Sequence, residues 1–420
     1  MDSEPQIIPD NPAEARKINV LLERYREDLG GFDVVQVGDA GYIVQRQSHK
    51  PMSGNDWAMF DYDDTLAAYT ESKTQRLDLY KKYVQTLGIH ISDDQVEELM
   101  RAADTFSRWE VNENGGRVYH LNAHLAALQW ATNQLKDNTV STEMSIAKVK
   151  ELLASIKSQT PNSTLNHNAD PFYIRARDKK FILRDVNQMW SDELLEVFKQ
   201  TTMSPRAYDE TITAVKDIGT PIDSIHRINL GIFTYGEADF QLSKILELLK
   251  QNPDLPISQI WLTKKSKGNF IIEAVENNAT ALLPQDYPSQ ELLQDEDEGP
   301  SFGSGNVLGQ FQHVIVMLDD NPKELNSILS TNDYLKEHTG ASFVLVRSIR
   351  KDTKEQLREW QVQTQHGKVD FTEKTFVSRD ISNVFLINRY FSVRSRLGIN
   401  HPNTKRLLIE LVRRGIHIPQ

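Results

Sequence analysis

Residues 57–66 of the chain read WAMFDYDDTL, a short apolar run followed at once by a cluster of acids. The apolar half predicts a buried strand over 57–60, because consecutive apolar residues leave no polar face for solvent. Asp61, Asp63 and Asp64 then follow at the carboxyl end of that strand. Taken alone, such a cluster is more often a capped turn than a functional site. However, carboxylates this close repel one another, and a hard divalent cation such as Mg²⁺ would relieve that repulsion.

A second pair of acids follows a later apolar run. The sequence HVIVMLDDNPKEL, residues 313–325, places Asp319 and Asp320 after a predicted strand and before Asn-Pro and a helix. The simplest local explanation of this pair is a helix cap with proline in the first turn. The carboxyl ends of parallel strands meet at one edge of a sheet, however, so the two acidic stretches would lie together there. Together they predict a magnesium site.

The distribution of apolar residues predicts an α/β fold. From residue 206 onward, solid apolar runs alternate with helical patterns, and the predicted strands are 228–234, 258–262, 313–318 and 342–347. Strands that are apolar throughout indicate a parallel sheet covered by helices on both faces. We therefore expect a doubly wound, Rossmann-like parallel-sheet core.

The remaining segments predict the domain organisation. The expected units are an N-terminal helix plus β-hairpin extension at 1–50, the α/β core at 51–70 and 204–349, a mainly α-helical insertion at 71–203, and a helical extension at 350–420. The insertion also contains a hairpin pattern at 172–184, and the acidic Gly/Ser-rich stretch 285–310 predicts a loop.

Two further strand ends offer groups suited to a phosphate. The strand INLGIF is followed by Thr234 and Tyr235, where a hydroxyl and main-chain N–H groups precede a helix. The strand ISQIWL is followed by three lysines, Lys264, Lys265 and Lys267. Any one lysine of such a loop is usually solvated. We favour Lys267 for the site, because it lies at the start of the next helix.

The composition limits the classes of function. With 420 residues, 39% of them hydrophobic, the chain is expected to form more than one folded unit, and its net charge of -11 gives no strong nucleic-acid signal. It has no cysteine, which excludes disulfides, thiolate metal sites and cysteine nucleophiles. The N-terminal residues lack the apolar core of a signal peptide, and the apolar runs are too short to span a bilayer. A cytoplasmic protein without membrane attachment is therefore expected.

In their order along the chain, these strand ends resemble the four motifs of the haloacid-dehalogenase-like (HAD) superfamily of phosphotransferases. The residues that fill the motifs are Asp61 with Asp63 and Thr65, then Thr234, then Lys267, and finally Asp319 with Asp320. The insertion at 71–203 resembles the cap domain that other members carry between the first and second motifs.

The resemblance implies a role for each residue. Asp61 would attack phosphorus to form an aspartyl-phosphate, and Asp63 would protonate the leaving group and then activate water. Mg²⁺ would be held by Asp61, the main-chain carbonyl of Asp63, and the Asp319–Asp320 pair, with Asp320 the favoured direct ligand of that pair. The phosphoryl group would be bound by Thr65, Thr234, Tyr235 and Lys267.

The expected function is thus a Mg²⁺-dependent phosphoryl-transfer enzyme, most simply a phosphomonoester hydrolase acting on a phosphorylated small molecule or macromolecule. Two alternatives stay open: a binding or scaffold protein that keeps the fold without turnover, and a phosphotransferase or mutase with an acceptor other than water. The sequence identifies neither the substrate nor the oligomeric state.

Overall fold

A computed structural model of the protein describes residues 12–51, 57–108, 110–111, 117–137, 147, 172–175, 180–183, 190–219, 228–277, 314–339, 342–351, 357–364, 367–373, 386, 390, 394 and 398–416. The chain divides into two compact units, Met1–Ala67 with Ala207–Gln420, and Ala68–Arg206. The helical insertion predicted at 71–203 lies within the second of them. Its role as a cap stays a prediction.

Strands and helices alternate over much of the chain. The strands are β1 (Phe32–Val37), β2 (Gly41–Arg46), β3 (Trp57–Phe60), β4 (Glu110–Val111), β5 (Arg117–Val118), β6 (Phe172–Arg175), β7 (Lys180–Leu183), β8 (Asn229–Tyr235), β9 (Ile257–Thr263), β10 (Val314–Asp319), β11 (Ser342–Lys351), β12 (Leu357–Thr364) and β13 (Gly367–Glu373). The described helices are α1 (Pro12–Leu29), α2 (Tyr69–Thr86), α3 (Asp93–Ser107), α4 (Leu121–Asp137), α5 (Asp192–Thr201), α6 (Asp209–Gly219), α7 (Ala238–Gln251), α8 (Lys267–Glu276), α9 (Pro322–Leu329), α10 (Asn332–Thr339) and α11 (Pro402–Arg413), besides a 3-10 turn at Gln47–His49.

The first unit is built on one nine-stranded sheet in the order β1-β2-β9-β8-β3-β10-β11-β12-β13. Its five central strands, from β9 to β11, are mutually parallel. Among these five strands, β3 comes first along the chain. The next two, β8 and β9, lie on one side of it in the sheet, and the last two, β10 and β11, lie on the other. The direction of winding therefore reverses at β3, the kind of position where parallel α/β sheets bind ligands. The predicted α/β core is confirmed.

The two faces of the sheet are covered by different helices. In β3, Ala58 and Phe60 pack into an apolar cluster that includes residues of α1, α6 and α7. Trp57 and Met59 point to the other face and pack with residues of α8, α9 and α10. All four residues of β3 are buried, as expected of a strand covered on both faces.

The margins of the sheet differ from the prediction. The hairpin predicted as part of an N-terminal extension is present as β1 and β2, but β2 pairs antiparallel with β9 and so belongs to the central sheet. The helical extension predicted over 350–420 is wrong for 357–364 and 367–373, because β12 pairs antiparallel with β11, and β13 pairs antiparallel with β12. Trp360 and Val362 alternate with polar residues, and this period of two fits a strand.

The second unit is mainly helical among its described residues, with α2, α3, α4 and α5 and two short hairpins, β4–β5 and β6–β7. The β6–β7 pair matches the hairpin pattern predicted at 172–184. Ser92 is the N-cap of α3 and forms a capping box in which its side chain accepts from the Gln95 N–H. The predicted loop at 285–310 lies outside the described residues.

None of the helices in the described part of the chain combines the length and apolar content that crossing a bilayer requires.

Candidate active site

The acids that follow β3 and β10 meet at one edge of the sheet. These strands are parallel neighbours with Phe60 opposite Leu318, so Asp61 follows β3 beside the end of β10. The Asp61 N–H donates to the Leu318 carbonyl at 2.7 Å. Oxygen atoms of the Asp61, Asp319 and Asp320 carboxylates all lie within 4.8 Å of one another. Two stretches far apart in sequence thus form one group of three carboxylates.

Burial makes this group electrostatically costly. Asp61 and Asp319 are buried, and Asp320 is partly buried. Burial raises the pKa of Asp61, Lys267 opposes the rise, and the charges of Asp319 and Asp320 add to it. Burial, followed by the charges of Asp319 and Asp64, raises the pKa of Asp320 to about 7. Added positive charge at this place would relieve the repulsion.

Lys267 supplies one such charge from the first residue of α8. Its side chain is 1% exposed, and its Nζ donates to Asp61 Oδ1 at 2.7 Å and to Asp319 Oδ2 at 2.6 Å. Burial lowers the pKa of Lys267, but the Asp319 and Asp61 carboxylates outweigh burial, and the net pKa is raised. The main-chain N–H of Lys267 donates to Glu324 of α9 at 2.9 Å, which fixes the start of the helix. Sequence reasoning gave Glu324 no role.

The neighbouring lysines lie elsewhere. Lys264 pairs with Glu14 of α1, and Lys265 pairs with Asp39 and Glu273. Of the three lysines considered from the sequence, Lys267 is therefore the one that contacts the carboxylate group.

The three carboxylates suit a hard divalent cation, since Mg²⁺ is usually bound by one or two carboxylates together with water and a phosphate. Asp61, Asp319 and Asp320 could hold such an ion. The carboxylate of Asp63 is not part of this group, as expected if Asp63 contributes its main-chain carbonyl instead. The metal role given to its main-chain carbonyl stays a prediction, as does the choice between Asp319 and Asp320 as the direct ligand.

The raised pKa of Asp320 predicts how the metal-free protein responds to pH. Because the folded state holds this proton more tightly than the unfolded chain, Asp320 contributes stability below its ordinary value of 3.8, and that contribution is lost as pH rises through about 7. We expect Asp320→Asn to flatten this fall, measured by urea unfolding in chelator between pH 4 and pH 8. An identical fall in the variant and the parent would contradict the prediction.

The carboxylate of Asp63 is held by a residue that the sequence did not single out. Lys244 of α7 is fully buried, and its Nζ lies 2.7 and 2.8 Å from the two carboxylate oxygens of Asp63. The Gln241 side chain donates to Asp63 more weakly, at 3.4 Å. The Lys244 ammonium also lies 5.1 Å from the Tyr62 ring centre and 4.9 Å from that of Phe240. The proposed acid–base residue is thus oriented by an ammonium group.

A sequence signal for Lys244 does exist. It lies in FQLSKILELL, four residues after Phe240 and four before Leu248, so it shares the apolar face of α7 with both. A lysine on a buried face needs a carboxylate or another polar partner nearby. Asp63 is that partner here.

The turn that carries the acids after β3 is held by main-chain hydrogen bonds. The N–H groups of Leu66 and Ala67 both donate to the Tyr62 carbonyl at 3.0 Å. Asp64 has a positive φ of 55°, a conformation that aspartate tolerates better than most residues. Thr65 is fully buried at this turn. Its predicted contact with a phosphoryl group stays a prediction.

Thr234 and Tyr235 end β8, the other parallel neighbour of β3. Ile232 lies opposite Phe60, so Thr234 reaches the same sheet edge as the acids. Thr234 is buried, and Tyr235 is partly buried. The Gly236 N–H donates to the Thr263 carbonyl at 2.8 Å, so that one main-chain donor of the predicted anion site is used within the sheet. The phosphate-binding roles of Thr234 and Tyr235 stay predictions.

Comparison with known proteins adds little to this geometry. No family model matches the chain, and no curated protein matches it. Among solved structures, the orthorhombic form of YfnB from Bacillus subtilis, described as a HAD-hydrolase bound to magnesium, aligns with 65% of this chain and 84% of its own. The sequence identity is 10% and the TM-score is 0.32. Similarity at this level establishes neither a shared fold nor a shared activity.

Proposed function

We propose that this protein is a Mg²⁺-dependent phosphomonoester hydrolase with a doubly wound HAD-type core, in which Asp61 is the nucleophile. The observation that carries the proposal is the meeting of Asp61, Asp319 and Asp320 with the buried Lys267 at the strand edge where the winding reverses. The substrate class that fits is a phosphorylated metabolite or macromolecule. The helical unit Ala68–Arg206 would act as the cap that selects it.

The arrangement of charges supports phosphoryl transfer. A phosphate dianion approaching a carboxylate nucleophile is repelled, so the site needs fixed positive charge close to Asp61. The Lys267 ammonium lies 2.7 Å from the Asp61 carboxylate and is buried, where its charge is little screened. When bound by Asp61, Asp319 and Asp320, Mg²⁺ would add Lewis-acid charge stabilisation.

The two acids after β3 have surroundings that suit different roles. Asp61 is buried with Lys267, as a nucleophile held in one direction would be. Asp63 keeps 27% of its side chain exposed and is oriented by Lys244. Partial exposure suits a group that exchanges protons with a leaving group and with water.

A generic aryl phosphate tests the proposal. Hydrolysis of p-nitrophenyl phosphate is expected to require Mg²⁺ and to cease in chelator, while calorimetry shows the ion binding to the protein. Absence of both turnover and Mg²⁺ binding would instead support the scaffold alternative. Product analysis with and without added alcohols would separate a hydrolase from a phosphotransferase.

Asp63→Asn is expected to slow hydrolysis of substrates with poor leaving groups by about 10²–10⁴-fold, because the asparagine amide cannot protonate the departing alkoxide. A series of aryl and alkyl phosphates measures the dependence of kcat/KM on leaving-group basicity. p-Nitrophenyl phosphate serves as the internal control, since its leaving group needs little protonation. Equal losses across the series would contradict the acid role.

A further inference from the structure

Among its described residues, the helical unit contains a buried cation without an acidic partner. Arg76 of α2 is 4% exposed, and the polar side chain that its guanidinium contacts is the Thr202 hydroxyl, to which Nη1 donates. Its Nε is buried and makes no hydrogen bond. Among the residues that the structure describes, no carboxylate forms an ion pair with Arg76. Buried charges in proteins are nearly always paired, so this arrangement indicates a missing anion.

The aromatic neighbours of Arg76 do not replace that anion. The guanidinium lies 5.3 Å from the Phe198 ring centre and 6.0 Å from that of Tyr69. Such cation–π contacts are weaker than an ion pair and satisfy none of the N–H donors in the guanidinium plane. A contact to a hydroxyl is likewise weaker than a contact to a carboxylate. The cost of burying the charge is therefore only partly offset.

A second orphan polar group lies beside the same ring. His124 of α4 packs edge-on against Phe198 at 5.0 Å between ring centres, and its Nε2 is buried without a hydrogen-bond partner. Its Nδ1 lies 3.0 Å from the Tyr119 hydroxyl. Burial, with the charge of Arg76 adding to it, lowers the pKa of His124 to about 3. His124 is thus neutral near pH 7, and in the tautomer in which the Tyr119 hydroxyl donates to Nδ1, the Nε2 atom carries the hydrogen.

Among the described residues, two further cations and one acid, Arg108, Lys73 and Asp104, lie near the same side chains. Asp104 accepts from Arg108 at 2.9 Å, and that arginine lies 5.1 Å from the Tyr119 ring centre. The Lys73 ammonium lies 5.1 Å from the Tyr69 ring centre. Asp104 Oδ2 is therefore paired with Arg108, while its Oδ1 is buried without a hydrogen-bond partner, and no described carboxylate forms an ion pair with Arg76.

We propose that Arg76 and His124 mark a binding site for a small oxyanion, a carboxylate or a phosphoryl group, formed by residues of the Ala68–Arg206 unit. The guanidinium offers a planar set of donors that matches two oxygens of such a group. His124 offers a further donor in the tautomer that carries its hydrogen on the unpartnered Nε2. This site is inferred independently of the proposed hydrolase activity, because none of its residues belongs to the carboxylate group around Asp61.

Titration of the full chain with inorganic phosphate in chelator, followed by calorimetry, tests the site. Arg76→Gln is expected to weaken the phosphate affinity by about 30-fold or more, because it removes the buried charge that the anion would pair with. The same titration with acetate at matched ionic strength distinguishes a phosphoryl site from a carboxylate site. Arg101→Gln, which removes an exposed arginine of α3 in the same unit, should leave both affinities unchanged.

Thermal unfolding separates binding from packing. At about ten times Kd, the anion is expected to raise the Tm of the parent by about 3–5 °C relative to chloride, with no such rise in Arg76→Gln. Equal rises in parent and variant would reflect a general salt effect and overturn the proposal, as would a parent that binds neither anion. Should Arg76→Gln not fold, Arg76→Lys keeps the charge without the planar donors, and an unchanged affinity there would also overturn it.

Discussion

Asp61→Asn is expected to reduce phosphate-ester hydrolysis by about 10⁴-fold or more while leaving the fold intact. The amide has no charge with which to attack phosphorus, and loss of a nucleophile commonly costs this much. The shape of the side chain is nearly unchanged, and Lys267 keeps its contact with Asp319 at 2.6 Å. Steady-state kinetics with p-nitrophenyl phosphate at saturating Mg²⁺ measures the loss.

The matched control is Asp64→Asn, in the same turn. Asn is at ease with the positive φ found at Asp64, so this variant should fold normally and keep most of the activity. If Asp61→Asn kept the activity of the parent, Asp61 would not be the nucleophile. If both variants lost activity equally, the loss would reflect damage to the turn.

Lys267→Met is expected to lower the free energy of unfolding by about 3–5 kcal/mol in chelator, the usual cost of leaving buried charges without their partner. The Lys267 side chain is 1% exposed and contacts two carboxylates, those of Asp61 and Asp319. Mg²⁺ should restore more stability to the variant than it adds to the parent, because the ion supplies the positive charge that the variant lacks. Urea unfolding with and without Mg²⁺ measures both effects.

Lys265→Met is the control for this variant. Lys265 pairs with Asp39 and Glu273 nearer the surface, where its side chain is 29% exposed, and such pairs contribute about 1 kcal/mol or less. A similar loss of stability in both variants, or no extra gain from Mg²⁺ in Lys267→Met, would mean that Lys267 does not balance the charge of the carboxylate group.

The sequence predicted that the acids after two strands, and Lys267 after a third, would lie together at one sheet edge. The run WAMF ahead of Asp61 and the run VIVML ahead of Asp319 are apolar enough to identify buried neighbouring strands, and parallel strands bring their ends together. Lys267 could be predicted because it begins the helix after such a strand. Lys244 lies in the interior of α7 and follows no strand. Its place on the apolar face indicates that it needs a polar partner, but only the fold decides that this partner is Asp63.

The outer strands of the sheet were harder to predict than the central ones. The apolar runs of the central strands are dictated by burial on both faces, but a strand such as β12 mixes apolar and charged residues. Short alternating segments of this kind resemble helical patterns, because few positions distinguish a period of two from one of 3.6. Pairing with β11 and β13 then decides the structure.

The position of β3 has a consequence for biosynthesis. This strand of four residues is made before the Ala68–Arg206 unit, yet both of its sheet neighbours, β8 and β10, are made after it. During synthesis, WAMF cannot pair with β8 and β10 until those later parts of the chain emerge, and non-local pairing of this kind slows folding. The nascent protein therefore acquires its group of three carboxylates only when the segment with Asp319 and Asp320 is released.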